Sequence, residues 1–445
     1  MGKLFGTDGV RGLANSELTP ELAFRLGRAA GALLKKPKER TAMLLGTDTR
    51  ISSSLLEGAL AAGVCSSGVD VYVAGVIPTP AVAYLTREMK TCAGVVISAS
   101  HNSFEDNGIK FFNEDGYKLP DELEEKIEAL VLRDTDKLPR PTGSEVGRII
   151  PFPNALNRYV KFLKEKVAAS FTGLRIVVDC AHGAVCEVAP RVYRELGAQV
   201  ISINDLPTGV NINKNCGSTH LESLQEAVLK YNANLGIAHD GDGDRLIAVD
   251  EKGQEVNGDQ ILVICGLALQ EKGQLQEKVV VTVMSNLGLK KAFNQAGVQV
   301  YEIKVGDRYV LEKMLETGAV LGGEQSGHII FLEQNTTGDG ILTALHLLSV
   351  VKETEQPLSE LAMQMITYPQ VLLNVKVKNK KSWSENRAIQ KSISEGEKVL
   401  GQKGRILVRP SGTEPLLRVM AEGEDKAQLE EITGQIGKVI ARELG

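Results

Sequence analysis

The six cysteines, Cys65, Cys92, Cys180, Cys186, Cys216 and Cys265, include no Cys-x-x-Cys pair and no zinc-finger spacing. That pattern excludes a sulfur-ligated metal module and leaves small buried hydrophobes in a reducing compartment as their expected role. Positive charge is not in excess: 51 Lys and Arg against 56 Asp and Glu give a net charge of −5 and a pI near 5.9. A nucleic-acid surface or an anionic-membrane surface is therefore not expected, and any phosphate binding has to be local. Long apolar runs are missing too. No segment reaches bilayer length. The stretch Met1-Gly2-Lys3-Leu4-Phe5-Gly6 lacks the apolar centre of a signal peptide, and Gly6 stands where a myristoylation motif wants Ser or Thr. A cytoplasmic protein is expected.

What is there is ample for several cores. The 445 residues are 43% hydrophobic and 24% charged, close to the globular average. That length suggests about three domains, or four small ones. Gly6-Thr7-Asp8-Gly9-Val10-Arg11-Gly12 reads either as a turn-rich N-terminal hairpin or as a flexible loop presenting Arg11 to an anion. Its glycines have Rossmann-like spacing, but no full strand precedes them. Thr19-Pro20 opens a helix with a stripe of Leu22, Leu26, Ala29, Ala30, Leu33 and Leu34. Strands at 42–45, 69–73 and 93–97 then alternate with helices, which predicts βαβ units and a mainly parallel sheet. After Ile97 come Ser98-Ala99-Ser100-His101-Asn102, then a turn and strand from Asp106 to Phe112 through Lys110, and a helix from Asp121.

Beyond the linker-like Pro139-Arg140-Pro141-Thr142-Gly143 the alternation restarts. Helices at 154–169, 187–196 and 221–231 alternate with strands at 175–178, 199–203 and 235–238. The last of these strands runs into His239-Asp240-Gly241-Asp242-Gly243-Asp244-Arg245, and Leu246 to Val249 follows as another strand. A third round opens near Gly258, with Asp259 as a helix N-cap. It has strands at 279–283, 298–303 and 319–321 and a closing helix from Asp339 to Val351, and it carries Gly306-Asp307-Arg308 and Gly323-Glu324-Gln325-Ser326-Gly327-His328 in loops. From about Tyr368 the pattern changes to a small α+β domain, with strands at 371–377, 405–408 and 416–420 and helices from Ser384 and over 426–442. The three rounds share this rhythm but no sequence repeat.

Three loops carry chemistry. Asp240, Asp242 and Asp244 sit at alternate positions of an extended, glycine-spaced loop, so they point to one side. Left alone they would repel one another, and a hard divalent cation, Mg²⁺ or Ca²⁺, resolves the conflict. An EF-hand fails, because Arg245 stands where glycine is required and the flanks read as strands; the other reading is a solvated acidic turn. Ser100 reads as a capping serine or a nucleophile, although the nucleophile-elbow pattern fails at Ser98 and Asn102. Arg409-Pro410-Ser411-Gly412-Thr413-Glu414-Pro415 joins two strands. Its hydroxyls, backbone N–H groups and close-approach glycine suit a phosphate, with Arg409 and Arg418 adding charge-assisted bonds; the alternative is an ordinary turn.

Taken together, Ser98 to Asn102 with Asp106-Asn107-Gly108-Ile109-Lys110, Asp240 to Arg245, Gly323 to His328 and Arg409 to Pro415 resemble the α-D-phosphohexomutases, in motif identity and in order, over nearly the whole chain. Gly6 to Gly12, Gly306-Asp307-Arg308 and the Gln325 form of the sugar loop look most like the members acting on amino sugars. The resemblance implies an α/β fold with three similar α/β domains (1–150, 151–254 and 255–366), mixed and mainly parallel in their sheets. A smaller C-terminal α+β domain (367–445) follows, the four lying around a central cleft. It implies a phosphoserine at Ser100 and one Mg²⁺ held by it with Asp240, Asp242 and Asp244. The implied reaction interconverts glucosamine 6-phosphate and glucosamine 1-phosphate through glucosamine 1,6-bisphosphate, on the route to UDP-N-acetylglucosamine. Lys110 and His328 would be acid–base groups, His101 would support the nucleophile, and Arg11 and Arg245 would orient phosphates. Gly306, Asp307, Arg308, Glu324 and Ser326 would contact the sugar. Arg409, Ser411, Gly412, Thr413 and Arg418 would hold the phosphate that is not reacting. A homodimer is implied, as is first loading of Ser100 by a priming kinase or by autophosphorylation. A mutase of glucose or mannose phosphates, and a non-catalytic phosphosugar-binding phosphoprotein, are the alternatives.

Overall fold

The computed structural model describes residues 4–6, 8–36, 40–380, 382–411 and 415–445. The chain forms two compact units, one of residues 1–284 with 297–364, the other of residues 285–296 with 365–445.

The first unit opens with β1 (Val10–Leu13), α1 (Pro20–Leu34), β2 (Ala42–Thr47), α2 (Ser53–Cys65), β3 (Asp70–Val76), α3 (Thr79–Glu88), β4 (Ala93–Ile97), β5 (Asp106–Asn113), α4 (Asp121–Val131) and β6 (Ile149–Pro151). The strands lie in the order β1-β5-β4-β2-β3-β6. Helix α1 starts where the sequence places it: the Thr19 hydroxyl accepts the Leu22 N–H at 3.2 Å, and Pro20 opens the first turn. Every residue of β4 is buried, which suits its run of Val and Ile between helical layers. Rather than a flexible loop, the Arg11 region is the edge strand β1, paired antiparallel with β5 so that Arg11 lies opposite Gly108.

Two further sheets repeat the plan. The second contains α5 (Ala155–Glu165), β7 (Arg175–Asp179), α6 (Val188–Glu195), β8 (Gln199–Ile203), α7 (Glu222–Tyr231), β9 (Leu235–His239), β10 (Leu246–Asp250) and β11 (Glu255–Val256). The third begins at α8 (Gly258–Glu271) and β12 (Lys278–Thr282). After α9 (Leu287–Gln295) it continues through β13 (Gln299–Ile303), α10 (Asp307–Thr317), β14 (Leu321–Gly323), β15 (Ile329–Phe331), α11 (Gly340–Thr354) and α12 (Leu358–Ala362). Helix α8 is capped by Asn257, in a capping box with Gln260, and not by Asp259.

The shared topology is plain in the strand orders β3-β2-β4-β5, β8-β7-β9-β10 and β13-β12-β14-β15. In each set the first two pairings are parallel and the last is antiparallel. The sheets are thus mixed, because each parallel core ends in a hairpin partner. The loop before that antiparallel strand holds Ser100 in the first set, Asp240 to Asp244 in the second and Glu324 to His328 in the third.

The second unit is smaller. Strands β16 (Gln370–Lys376), β17 (Gly404–Pro410) and β18 (Leu416–Gly423) form an antiparallel sheet in the order β16-β18-β17, accompanied by α13 (Arg387–Leu400) and α14 (Lys426–Leu444). Val375, Ile389, Leu417, Val419, Leu429, Ile436 and Ile440 form its core. Helix α9 belongs to this unit although its neighbours in the chain belong to the first. The Leu287 N–H donates to Glu422 Oε1 at 2.8 Å, and the Asn286 side chain makes two bonds to the Tyr368 backbone. All six cysteines are unpaired, and no described helix is long and apolar enough to cross a membrane.

Candidate active site

Where β4 ends, Ser98 turns its hydroxyl back to accept the Ser100 N–H at 3.0 Å. Ser100 takes a left-handed backbone, φ +51°, which is rare for a residue with a side chain and is concentrated at functional sites. Its Oγ donates to Asp240 Oδ2 at 2.5 Å and lies 3.4 Å from His101 Nδ1. Burial, together with the nearby Arg245 and Arg11, pushes His101 down to about 4, so its ring is neutral near pH 7.

Asp240, Asp242 and Asp244 are all buried, with one oxygen from each within 4.8 Å of the others. Burial, then the Asp244 and Asp242 charges, raise the Asp240 carboxyl well above its usual range. Burial pushes Asp242 the same way, but Lys110 and the Thr79 hydroxyl, 2.9 and 2.7 Å away, bring it below the usual range. Asp242 Oδ1 and Asp244 Oδ1 are buried without a hydrogen-bond partner among the described residues. Clustered carboxylates with orphaned oxygens are a donor set for a hard divalent cation, and this group can hold a metal ion.

Around them runs a chain of alternating charges. Lys110 Nζ lies 2.9 Å from both Asp242 and Asp8. Lys118 pairs with Asp8 and with Asp307. His328 follows, 3.8 Å from Asp307 and 3.4 Å from Asp244. Burial lowers the His328 pKa, yet Asp244 and Asp307 outweigh it and bring the ring to about 8. The Gly338 N–H donates to His328 Nε2 at 3.1 Å, and a Cβ at 338 would lie 2.5 Å from the ring. Arg11, Ser100, His101, Arg245, Glu324 and His328 share one cavity of about 360 Å³, with Gly306 and Asp307 also on its wall.

The other expected residues are placed differently. Glu324 Oε1 accepts the Gly306 N–H at 3.0 Å. Ser326 lies 3.5 Å from Glu324, but it faces a second cavity of about 410 Å³ shared with Arg245, Gln325 and Glu255. Arg308 turns to Asp121, Glu124 and Glu312 and does not line the first cavity. In the second unit Arg409 and Arg418 stand directly opposite across β17 and β18. Burial and the Arg418 charge both lower the Arg409 pKa. Two arginines in register suit a shared anion. The Ser411 carbonyl accepts Lys380 Nζ at 2.7 Å. Gly412 and Thr413 lie outside the described residues.

Sequence reasoning missed Asp8, Lys118, Thr79, Arg50 and Asn213. Asp8 lies in the stretch singled out for Arg11, and Thr79 opens α3 just after β3, so strand-end position was the available signal. Lys118 carries none.

Comparison with known proteins agrees with this geometry. Models of the phosphoglucomutase/phosphomannomutase family match in order: alpha/beta/alpha domain I over residues 2–137, domain II over 157–253, domain III over 257–368 and the C-terminal domain over 372–438. Phosphoglucosamine mutase of Desulforamulus reducens is 59% identical over 441 residues, covering 99% of both chains. The enzyme of the same name from Carboxydothermus hydrogenoformans is 59% identical over 443 residues, 99% of this chain and 100% of its own. A family protein from Burkholderia thailandensis shares the fold, with a TM-score of 0.82 at 23% identity over 98% of this chain and 97% of its own. So does Aspergillus fumigatus N-acetylphosphoglucosamine mutase, at TM-score 0.68 and 18% identity over 99% and 95%. With all four domain models matched in order and near-full-length relatives at this identity, the chain belongs to the phosphoglucomutase/phosphomannomutase family.

Proposed function

We propose that the protein is a phosphoglucosamine mutase. It interconverts glucosamine 6-phosphate and glucosamine 1-phosphate through a phosphoryl group carried on Ser100. The observation that carries this reading is Ser100 Oγ, held 2.5 Å from the buried aspartate cluster at the wall of a polar cavity. The choice of an amino sugar rests on the relatives that share 59% identity over 99% of the chain.

The phosphoryl group leaves Ser100 Oγ as its P–O bond breaks, and a new P–O bond forms at the free sugar hydroxyl, which gives up its proton. The product is glucosamine 1,6-bisphosphate. After the sugar turns over, the other phosphoryl group passes to Ser100 Oγ, and the freed sugar oxygen takes a proton. Lys110, kept protonated by Asp242 and Asp8, donates toward the reacting oxygens. His328, balanced near 8 between burial and its two carboxylates, exchanges a proton close to neutrality. Neutral His101 accepts at Ser100 Oγ while that oxygen carries a hydrogen. Arg11 and Arg245 orient phosphate oxygens, and Glu324 and Ser326 contact sugar hydroxyls, with the Gly306-Asp307-Arg308 turn supporting them. Arg409, Ser411, Gly412, Thr413 and Arg418 bind the phosphate at rest. Asp240, Asp242 and Asp244 would hold Mg²⁺ with the Ser100 phosphoryl oxygen, and the cation would neutralise charge on the transferring group. A cytoplasmic homodimer, primed by a kinase or by autophosphorylation, completes the proposal.

The test is Ser100→Ala, assayed with glucosamine 1-phosphate and glucose 1-phosphate, alongside phosphosite mapping of the parent. Loss of both activities and a phosphate mapped to Ser100 are expected. An active variant refutes the nucleophile, and a higher kcat/KM for the glucose ester refutes the amino sugar.

A further inference from the structure

Ser100 is held from behind by two side chains that come from different parts of the first unit. Arg50 lies in the loop after β2. Its Nη2 donates to the Ser100 carbonyl at 3.1 Å and to the Asn102 carbonyl at 2.7 Å. Asn213 lies in the stretch between β8 and α7. Its Nδ2 donates to the same two carbonyls, at 2.8 and 2.9 Å. Both side chains are buried, Arg50 fully, and Arg50 is paired with the equally buried Asp48. Asp48 is itself held by the Ser53 hydroxyl at 2.9 Å. Asn213 is fixed by its own N–H, which donates to the Ala181 carbonyl at 2.9 Å. Each of the two carbonyls thus accepts two side-chain N–H donors, which uses both lone pairs of each oxygen.

One of the two carbonyls belongs to the residue with the left-handed backbone, and the other lies two residues further along the same turn. A non-glycine residue persists at φ +51° only where its surroundings over-determine it. The aspartate loop rests on the same point, because a Cβ on Gly241 would lie 2.6 Å from the Ser100 carbonyl oxygen and 2.8 Å from Asn213 Nδ2. The carbonyls, the two donors and Gly241 therefore form one packed contact that sets where Ser100 Oγ stands relative to Asp240.

Resting on the function proposed above, we infer that Arg50 and Asn213 form a carbonyl clamp. They are positioning residues that lock Ser100 in its left-handed conformation and hold its Oγ in line for phosphoryl transfer. They touch neither the sugar nor the cavity, so they act on turnover rather than on substrate binding. Because the clamp needs a donor from each of two α/β domains, it forms only when those domains are docked.

The experiment compares Asn213→Ala, Asn213→Asp, Arg50→Lys and Arg50→Met with the parent and with Ser100→Ala. It measures kcat, KM and the thermal midpoint, and follows hydrolysis of the Ser100 phosphate by intact mass. A small displacement of a reacting group costs on the order of a hundredfold in rate, so Asn213→Ala is expected to lose about that in kcat with KM nearly unchanged. Asn213→Asp, which turns a carboxylate toward two carbonyls, is expected to lose more. Arg50→Lys, which keeps the charge facing Asp48, is expected to recover part of what Arg50→Met loses. The serine phosphate of each impaired variant should hydrolyse faster than the parent's. Asn213→Ala keeps the test open if Arg50→Met fails to fold. The clamp is overturned if Asn213→Ala and Arg50→Lys both turn over within about twofold of the parent while Ser100→Ala is inactive, or if losses fall on KM and kcat equally. Activity in Ser100→Ala would instead overturn the functional reading beneath the clamp.

Discussion

Lys110→Met removes a charge and almost no volume from the most crowded electrostatic point of the site. Nζ lies 2.9 Å from a carboxylate oxygen of Asp242 and 2.9 Å from one of Asp8, with the side chain 2% exposed. At an effective dielectric near 20, each such pair attracts by roughly 5–6 kcal/mol. Much of that attraction only offsets the desolvation of the lysine, which methionine never requires. What remains is the penalty of two buried carboxylates left without their partner, about 3–5 kcal/mol for breaking a buried pair. Chelator-treated Lys110→Met should therefore lose that much stability. Adding Asp8→Asn should recover part of it without restoring activity.

The metal response should move the other way. In the parent, the lysine and a divalent cation compete to neutralise Asp242, so removing the lysine should tighten Mg²⁺ binding. A tenfold gain in affinity, ~1.4 kcal/mol, is the expected scale. Mg²⁺ should then stabilise the variant more than it stabilises the parent. Turnover should fall by about 10²–10⁴, as for loss of an acid–base group. Calorimetric titration of Mg²⁺ into stripped protein and chemical denaturation in chelator read the two effects separately. An unchanged or weaker Mg²⁺ affinity, or a stability loss below about 1 kcal/mol, would refute the reasoning.

Two further outcomes are expected. Arg418→Ala removes one of two arginines facing each other across β17 and β18, so it should raise KM for the phosphosugar more than it lowers the thermal midpoint; a normal KM removes Arg418 from the substrate site. Acid should destabilise the fold through His346, whose ring stacks on Phe331 and is pushed by burial to about 4 from an unfolded value of 6.5. The unfolded chain binds this proton and the folded chain does not, so nothing is lost at pH 7 and about 3 kcal/mol is lost by pH 4; if the urea midpoint of His346→Phe falls as steeply between pH 7 and pH 4.5 as the parent's, the assignment fails.

How much of this could be read beforehand depends on the range of the interaction. The Ser100, Asp240 and Glu324 loops were legible because each follows a compact apolar strand and is dense in polar residues, a local pattern. Asp240, Asp242 and Asp244 were the clearest, since their alternate spacing is itself a donor arrangement. The repeated plan showed as a shared strand–helix rhythm and in the family resemblance, but the antiparallel end of the third set did not: β14 and β15 have three residues each, too few to show a period. The clamp and the charge chain were hidden for another reason. Lys118 meets Asp307 across 189 positions, and Asn213 meets Ser100 across 113. A lysine or an asparagine carries no trace in its neighbourhood of a partner so distant. Arg308 shows the converse: it lies inside a motif, yet its guanidinium pairs with the distant α4 carboxylates Asp121 and Glu124, which nothing near it in sequence announces.

The site follows from using one loop position three times. In each α/β domain the loop before the antiparallel strand emerges at the same place, and the loops are joined to one another directly. The Ser100 hydroxyl reaches the Asp240 carboxylate at 2.5 Å, and from the start of α3 the Thr79 N–H and hydroxyl reach the Asp242 carbonyl and carboxylate, at 2.9 and 2.7 Å. The Leu246 N–H reaches the Gly327 carbonyl at 3.0 Å, and Arg245 bridges to His328 as an isolated β-pair. These contacts dock the domains and also set the serine, the aspartates and the histidine relative to one another. Docking and site assembly are then one event. The unfavourable part of that event, three carboxylates brought together in a buried loop, is met by charges that arrive only with docking: Lys110 from the first domain, and His328 from the third. A domain separated from its neighbours would hold its loop but not its chemistry, because the groups that fix its protonation belong to the others.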